Sequence, residues 1–219
     1  DGNGNYVWGN NFGGSQDFGQ SVIQTSDSGY IVGGYSYSGL YGDNHPGIIL
    51  IKTNSIGNEE WSRDIGEGQN VSIDQTSDGG YIIGSNSHII KVDENGSEEW
   101  SQPFGGNSIQ ETLDGGYIIF GENIIKTYSD GQEEWNYSYN CQASSGIQTL
   151  DGGYIFTGRF RQENWNDDLC VMRVNSNGEE LWNQVFIDNG NNGSGYSIKQ
   201  TSDNGYIIAG RYDYGDTGG

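Results

Sequence analysis

Five repeated antiparallel units of an all-β chain are what these 219 residues predict, and three observations carry that reading. The first is one stretch that occurs five times: residues 24–34 (QTSDSGYIVGG), 75–84 (QTSDGGYIIG), 111–121 (ETLDGGYIIFG), 148–158 (QTLDGGYIFTG) and 200–210 (QTSDNGYIIAG). The second is that helical periodicity is absent, while short runs of aromatic and β-branched residues alternate with turn chemistry. The third is that the run after each turn is apolar on both faces (Tyr30-Ile31-Val32, Tyr206-Ile207-Ile208). A strand with one face in solvent would alternate, so these strands are expected to be covered on both sides.

The unit around residue 72 shows the grammar. Residues 72–76 form segment A, and Ser77-Asp78-Gly79-Gly80 form its turn. There Asp hydrogen-bonds the backbone and Gly supplies positive φ. Residues 81–85 are segment B and residues 88–92 segment C. Asp93-Glu94-Asn95-Gly96 is a second hairpin turn, and residues 98–102 are segment D, centred on Trp100. The other units repeat this order, with 51, 36, 37 and 52 residues between successive B-segment tyrosines (Tyr30, Tyr81, Tyr117, Tyr154, Tyr206).

Four-stranded antiparallel units of about 40 residues, repeated radially, describe a β-propeller. The expectation is one domain over residues 1–219: a five-bladed β-propeller of four-stranded antiparallel blades, with an N-terminal strand completing the last blade. The blades are expected at about residues 20–65, 71–104, 107–139, 144–187 and 195–219, the last joined by 1–11. Residues 1–8 (DGNGNYVW) match a C–D turn and D strand, but no C strand follows Gly210 other than RYDYGDTGG. Three sources for it stay open: that poor strand, a longer array of which this chain is a fragment, or a neighbouring molecule. The matching tryptophans (Trp8, Trp61, Trp100, Trp135, Trp182) are expected to fill the widening gap between blades; ligand stacking is their alternative role. Lys52, Lys91, Lys126 and Arg173 occupy one position in segment C. They are expected opposite the second Glu of the following pair (Glu60, Glu99, Glu134, Glu180), as cross-strand ion pairs of at most about 1 kcal/mol.

Composition narrows the partners. Asp and Glu total 30 against 9 Lys and Arg, a net charge of −21. Such a surface repels nucleic acid and anionic membrane. The acidity either keeps a Gly-rich repeat soluble or collects cations. No apolar run reaches the roughly 18 residues of a membrane span, and no signal peptide is visible. Low Lys content and four candidate glycosylation sequons, at Asn70, Asn95, Asn136 and Asn192, favour an extracellular or cell-surface location. Cys141 precedes the A strand of the fourth unit and Cys170 begins its C strand, so a disulfide and two buried free thiols are both open.

QTSDGGYI, IIKxDxxG, EEW and FGG together resemble the tandem propeller repeats of secreted and cell-surface proteins from bacteria and archaea. The resemblance covers nearly the whole chain. It implies the propeller fold and an exported location, and it carries over no catalytic chemistry. The chain departs from it at the truncated repeats of both ends.

In an A–B–C–D meander the A–B and C–D turns share one face, uniform here, and the B–C and D–A connections share the other, where lengths differ. Insertions rich in aromatic and acidic residues follow the B segments of units 1, 4 and 5. They nominate Tyr37, Tyr41, Trp165, Asp167, Asp168, Tyr212 and Tyr214 as ligand-binding residues. The expected partner is a glycan or a surface protein, including copies of the chain itself, because rings stack on sugars and carboxylates take hydroxyls. No cofactor is expected. Residues 93–96 and 1–5 faintly resemble calcium loops, but lack the spaced ligands and terminal Glu that calcium needs. No nucleophile elbow, His-based metal spacing or phosphate loop is present, so no catalytic residue is assigned. The remaining enzymatic alternative is a glycosidase, whose mechanism depends on the spacing of two carboxylates.

Overall fold

The computed structural model describes residues 2–13, 16–37, 46–161, 167–186 and 192–213, which contain eighteen strands and no helix. Sheet 1 holds β1 (Asp17–Gln24), β2 (Tyr30–Ser36), β3 (Gly47–Thr53) and β4 (Glu59–Glu67). Sheet 2 holds β5 (Ser72–Gln75), β6 (Tyr81–Gly84), β7 (Ile89–Val92) and β8 (Glu98–Gln102). Sheet 3 holds β9 (Ser108–Glu111), β10 (Tyr117–Phe120), β11 (Asn123–Thr127) and β12 (Glu133–Ser138). Sheet 4 holds β13 (Cys141–Gln148), β14 (Tyr154–Arg161), β15 (Asp167–Val174) and β16 (Glu180–Phe186). Sheet 5 has β17 (Asn192–Gln200) and β18 (Tyr206–Asp213). Pairing follows chain order and is antiparallel throughout, as short hairpin turns dictate. The chain divides into two compact units, residues 1–104 and 105–219.

Each A–B hairpin closes in the same way. In sheet 2 the Thr76 and Gly80 backbones pair, with the Thr76 amide donating to the Gly80 carbonyl at 3.0 Å. Asp78 accepts from the Thr76 hydroxyl at 2.6 Å and from the Gly80 amide at 2.9 Å. The third turn residue has positive φ in all five copies: Ser28, Gly79, Gly115, Gly152 and Asn204. The fourth is always Gly because there is no room for a Cβ in sheets 1 to 4. At Gly80 it would strike the Val92 carbonyl and lie 2.6 Å from Lys91 Nζ.

Within the first unit, Ile31, Leu50, Ile73, Tyr81, Ile83 and Val92 form one core between sheets 1 and 2. Gln20 and Ser21 of β1 accept from the Val71 and Ile73 amides, which locks β5 beside β1. Within the second unit, Phe120, Ala143, Tyr154, Phe156, Met172 and Val174 join sheets 3 and 4. Ile155, Val171 and Ile198 join sheets 4 and 5. The B strands β6 and β10 are buried at every residue.

Within each unit a tryptophan sits where one sheet meets the next. Trp61 packs against Tyr81 (centroids 6.2 Å apart) and against Gly96 in the C–D turn of sheet 2. Trp135 does the same with Tyr154 (5.8 Å) and the Gly178 turn of sheet 4. Trp8 takes the equivalent place over Tyr30 (5.7 Å) and Gly57 of sheet 1. Among the described residues the expected closing strand is not seen, however: residues 2–12 contain no strand, and sheet 5 has two strands. The N-terminal segment is anchored to sheet 1 by its Trp rather than by a ladder, leaving Tyr6 and Val7 exposed.

Cys141 and Cys170 form a disulfide with Cα atoms 5.8 Å apart, buried in the core of sheets 3 and 4. It closes a loop of 29 residues, which by loop-closure entropy stabilises the fold by roughly 3 to 4 kcal/mol. The alternative of two free thiols does not apply.

The crowding at the fourth turn residue gives a direct expectation. Gly80→Ala should destabilise the protein by about 1–3 kcal/mol, the usual cost of forcing atoms into a packed site. Urea unfolding of parent and variant would measure it, seen as a lower midpoint at unchanged slope.

Candidate functional site

The repeated Asp of the A–B turn does more than cap its hairpin. In the first three sheets it pairs with a buried lysine of the third strand: Lys52–Asp27 at 2.7 Å, Lys91–Asp78 at 2.9 Å and Lys126–Asp114 at 3.1 Å. The same ammonium meets the fourth strand, with Glu60 and Glu99 each at 2.8 Å and Glu134 at 3.4 Å. Its third proton goes to the next residue's carbonyl, Thr53, Val92 or Thr127. Three donors thus find three acceptors. In sheet 4, Arg173 pairs with Asp151 and donates to the Tyr154 and Val174 carbonyls.

This corrects the expected register. Lys52, Lys91, Lys126 and Arg173 stand opposite Trp61, Trp100, Trp135 and Trp182, not opposite a Glu. A bulge before the next pair leaves the second Glu as the extra residue on the fourth strand, within reach of the ammonium. Glu180 forms no such pair; it accepts from Asn183, and the longer Arg173 fork is taken up by Asp151 and two carbonyls.

The charges reinforce one another. Hydrogen bonds from Lys52, Thr25 and the Gly29 amide hold Asp27 at about 2. Burial works against a charged Asp78, but Thr76, Lys91 and the Gly80 amide outweigh it and hold that group at about 2 as well. Burial likewise opposes the lysine charges, yet Asp27 and Glu60 raise Lys52, and Glu99 and Asp78 raise Lys91, above the usual 10.5. The uniform side of the sheets is therefore structural.

The opposite strand ends differ from sheet to sheet. In the first unit Phe18 pairs across from Tyr35 and stacks on it at 5.0 Å, and Tyr37 stands edge-on to Tyr35 at 5.7 Å. Gln69 donates to the Tyr37 hydroxyl at 2.9 Å, and Phe18 remains half exposed. In the second unit Asp167 lies 3.6 Å from Arg159 and 3.8 Å from Arg161. Arg159 is steadied by Gln142 (3.0 Å), while Asn192 accepts from the Asp167 amide (2.9 Å). Tyr212, opposite Gly193 on the sheet that Asn192 begins, is 40 % exposed at the same end. Asp168 is not at the surface: alternation along β15 turns it inward, and it is 2 % exposed. Tyr41, Trp165 and Tyr214 lie outside the described residues. The Phe18–Tyr35 pair is not legible in the sequence: counting outward from the A–B turn sets Phe18 opposite Ser36, and the bulge between Gly19 and Ser21 brings it opposite Tyr35.

Two cavities accompany these ends. An open groove of about 1030 Å³ runs between Trp8, Phe12, Val22 and Tyr30 in the first unit. A smaller one of about 320 Å³ lies against the disulfide and is walled by Tyr139, Phe160, Met172 and Glu180. Tyr139 donates to the Gly178 carbonyl, and burial pushes its hydroxyl up to about 12. The sequon residues Asn70, Asn95, Asn136 and Asn192 are all exposed. Asp93 accepts from the Asn95 and Ser97 amides (2.9 and 2.8 Å), the work of a hairpin turn. Among the described residues there is no His, Cys, Asp and Glu cluster able to hold a metal.

No protein-family model and no curated protein sequence matches this chain. Solved structures do. A protein of unknown function from Bacteroides caccae superposes with a TM-score of 0.56 at 12 % identity, over 80 % of this chain and 69 % of its own. The extracellular domain of a hybrid two-component system protein from B. thetaiotaomicron gives 0.54 at 13 %, over 94 % and 33 %. The Pan2 WD40 domain of Neurospora crassa gives 0.52 at 10 %, over 87 % and 60 %. The chain thus spans only part of each. Likeness at such identity speaks for fold alone, and WD40 domains are β-propellers. The chain has the β-propeller fold, and its five sheets are its five blades.

The pH dependence follows from the turn carboxylates and lysines. A depressed carboxyl contributes stability that is complete above its unfolded pKa near 3.8 and lost as pH falls towards about 2. A raised lysine contributes stability that is complete below 10.5 and lost as pH rises through the higher folded value. Thermal unfolding midpoints should therefore stay level between about pH 5 and 10, then fall on both sides. A midpoint still level at about pH 2.5 would count against the carboxylate contribution.

Proposed function

We propose that this chain is a non-enzymatic propeller module of the cell surface or extracellular space that recognises a protein partner through the strand ends opposite the A–B turns. The observation that carries the reading is the contrast between the two ends. On one, four of the five turn carboxylates are engaged by buried cations of their own blade. On the other, the Phe18–Tyr35–Tyr37 cluster and the Arg159–Asp167–Arg161 group stand at the ends of strands and differ between blades. Exposed aromatic and arginine side chains on a fixed scaffold are the residue types that anchor protein interfaces.

Two further features support this reading. The disulfide suits an oxidising compartment, and one of the similar structures is itself an extracellular domain.

A second reading rests on the stacked Phe18–Tyr35 pair. Beside the edge-on Tyr37 it offers the flat apolar surface on which a pyranose ring stacks. One experiment separates the two. The parent and its Tyr35→Ala, Tyr37→Ala and Trp165→Ala variants would be compared on a glycan array and against surface-exposed proteins. Retention of a surface protein by the parent, lost in the Tyr variants, with a blank array, is the expected result. Glycan hits lost in the variants would shift the assignment to a lectin, and variants that bind as the parent does would overturn both.

A further inference from the structure

The contact between sheets 3 and 4 repeats the contact between sheets 1 and 2, but without its cation. In the first unit Trp61 and Arg63 of β4 lie against Gly96, in the C–D turn of sheet 2. The Arg63 guanidinium stands over the Trp61 ring, 5.6 Å from its centroid. In the second unit Trp135 and Tyr137 of β12 lie against the matching Gly178. Tyr137 takes the place of the arginine, its ring centroid 5.6 Å from that of Trp135. Two residues further on, the Ile65 that packs on the core of the first unit is replaced by Tyr139.

The exchange coincides with a cavity. The space of about 320 Å³ in the second unit is walled by Tyr139, Phe160, Met172 and the disulfide. Tyr139 is held at both ends: its hydroxyl donates to the Gly178 carbonyl, and its ring lies 5.6 Å from that of Phe156. One acidic side chain lines the space, Glu180. The bulge residue of β16 is Leu181, so Glu180 stands opposite Val174 and shares the face of Cys170 and Met172. Asn183 donates to its carboxylate and fixes it. Burial, then Tyr137 and Glu180, push the Tyr139 hydroxyl upward, which sets the glutamate near that ring. Among the described residues neither Lys nor Arg lines the cavity.

The chemistry of the ligand follows. Aromatic faces attract cations, and a carboxylate beside them adds a counter-charge. The net charge of −21 raises the local concentration of cations further. Rings, thioether and disulfide present apolar area, which suits the methyl groups of a substituted ammonium. The volume is that of roughly ten waters and lies at the small end of ligand sites, so the ligand is small.

We propose that the cavity between sheets 3 and 4 binds a small methylated alkylammonium ion, with Glu180 as its counter-charge and Tyr139 and Phe160 as its aromatic walls. The ligand brings from outside the positive charge that Arg63 provides over Trp61 in the first unit. This does not rest on the protein-partner reading above, which uses neither the cavity nor its residues.

Choline is the probe, titrated into the whole chain by calorimetry. Saturable binding is expected, and dimethylbutanol, the neutral carbon analogue, should bind at least about fivefold more weakly. Glu180→Gln should weaken choline binding by at least about fivefold, and Phe160→Leu by about threefold. Glu98→Gln removes one charge at the same strand position of sheet 2, opposite Val92, and should bind as the parent does. Urea unfolding checks that each variant folds, and the choline–dimethylbutanol comparison in the parent needs no variant. Phosphatidylcholine vesicles carry the same ammonium group. A protein that stays in the supernatant when they are sedimented marks the free ion as ligand, whereas co-sedimentation lost in Glu180→Gln assigns the same site to a lipid headgroup. No saturable choline binding, equal binding of dimethylbutanol, or equal weakening by Glu98→Gln would overturn the proposal. So would tighter binding of n-butylammonium than of choline.

Discussion

A buried cation between two strand turns is the interaction on which each complete blade depends. Lys52, Lys91 and Lys126 are 2–3 % exposed, in strands made mostly of Ile, Val, Leu and Thr. A lone ammonium there would be costly, by several kcal/mol even after relaxation. It is tolerated because the turn Asp, the fourth-strand Glu and a backbone carbonyl take its three protons. The requirement propagates outward. The Asp must lie in the A–B turn, the following Gly must leave room for Nζ, and the bulge must bring the second Glu within reach. One charge thus ties together all four strands of a blade by hydrogen bonds whose geometry a purely apolar core would not enforce.

Between neighbouring blades of each unit the link is of another kind. A tryptophan from the fourth strand lies over the tyrosine and turn glycine of the next blade, and isoleucines and a few phenylalanines fill the space below. Burial of such large side chains supplies most of the association energy between sheets. Glycines such as Gly33 and Gly146 face the neighbouring sheet because Ile73 or Phe120 occupies the space a side chain would need. With the packed faces within each unit and one set of turns committed to structure, the parts left to vary are the opposite strand ends.

Much of this was legible in the sequence because each signal is local. The Asp-Gly-Gly turns, the Tyr-Ile-Ile strands and the Trp spacing depend on neighbours a few residues away, and the five copies reinforce one another. The second partner of each lysine was not legible. Asp27 and Lys52 are 25 residues apart, Asp151 and Arg173 are 22 apart, and only the folded meander brings them together. The same holds for the lysine register, since one bulge residue moves Trp61 rather than Glu60 opposite Lys52. Asp168 was misplaced for a related reason. In a loop it would be exposed, but β15 begins at Asp167, and the period of two turns the next side chain inward. The N-terminal segment kept the packing of a D strand through Trp8 without its ladder, which a strand pattern alone does not distinguish.

The turn carboxylate and the buried cation act as one unit. A double-mutant cycle on Asp78→Asn and Lys91→Met, read by urea unfolding at neutral pH, tests it most directly. The two changes should be coupled by about 1–2 kcal/mol, the double variant being more stable than the sum of the single losses would give. Additivity within about 0.3 kcal/mol would contradict it, and would reduce the repeated Asp to a cap for its own turn.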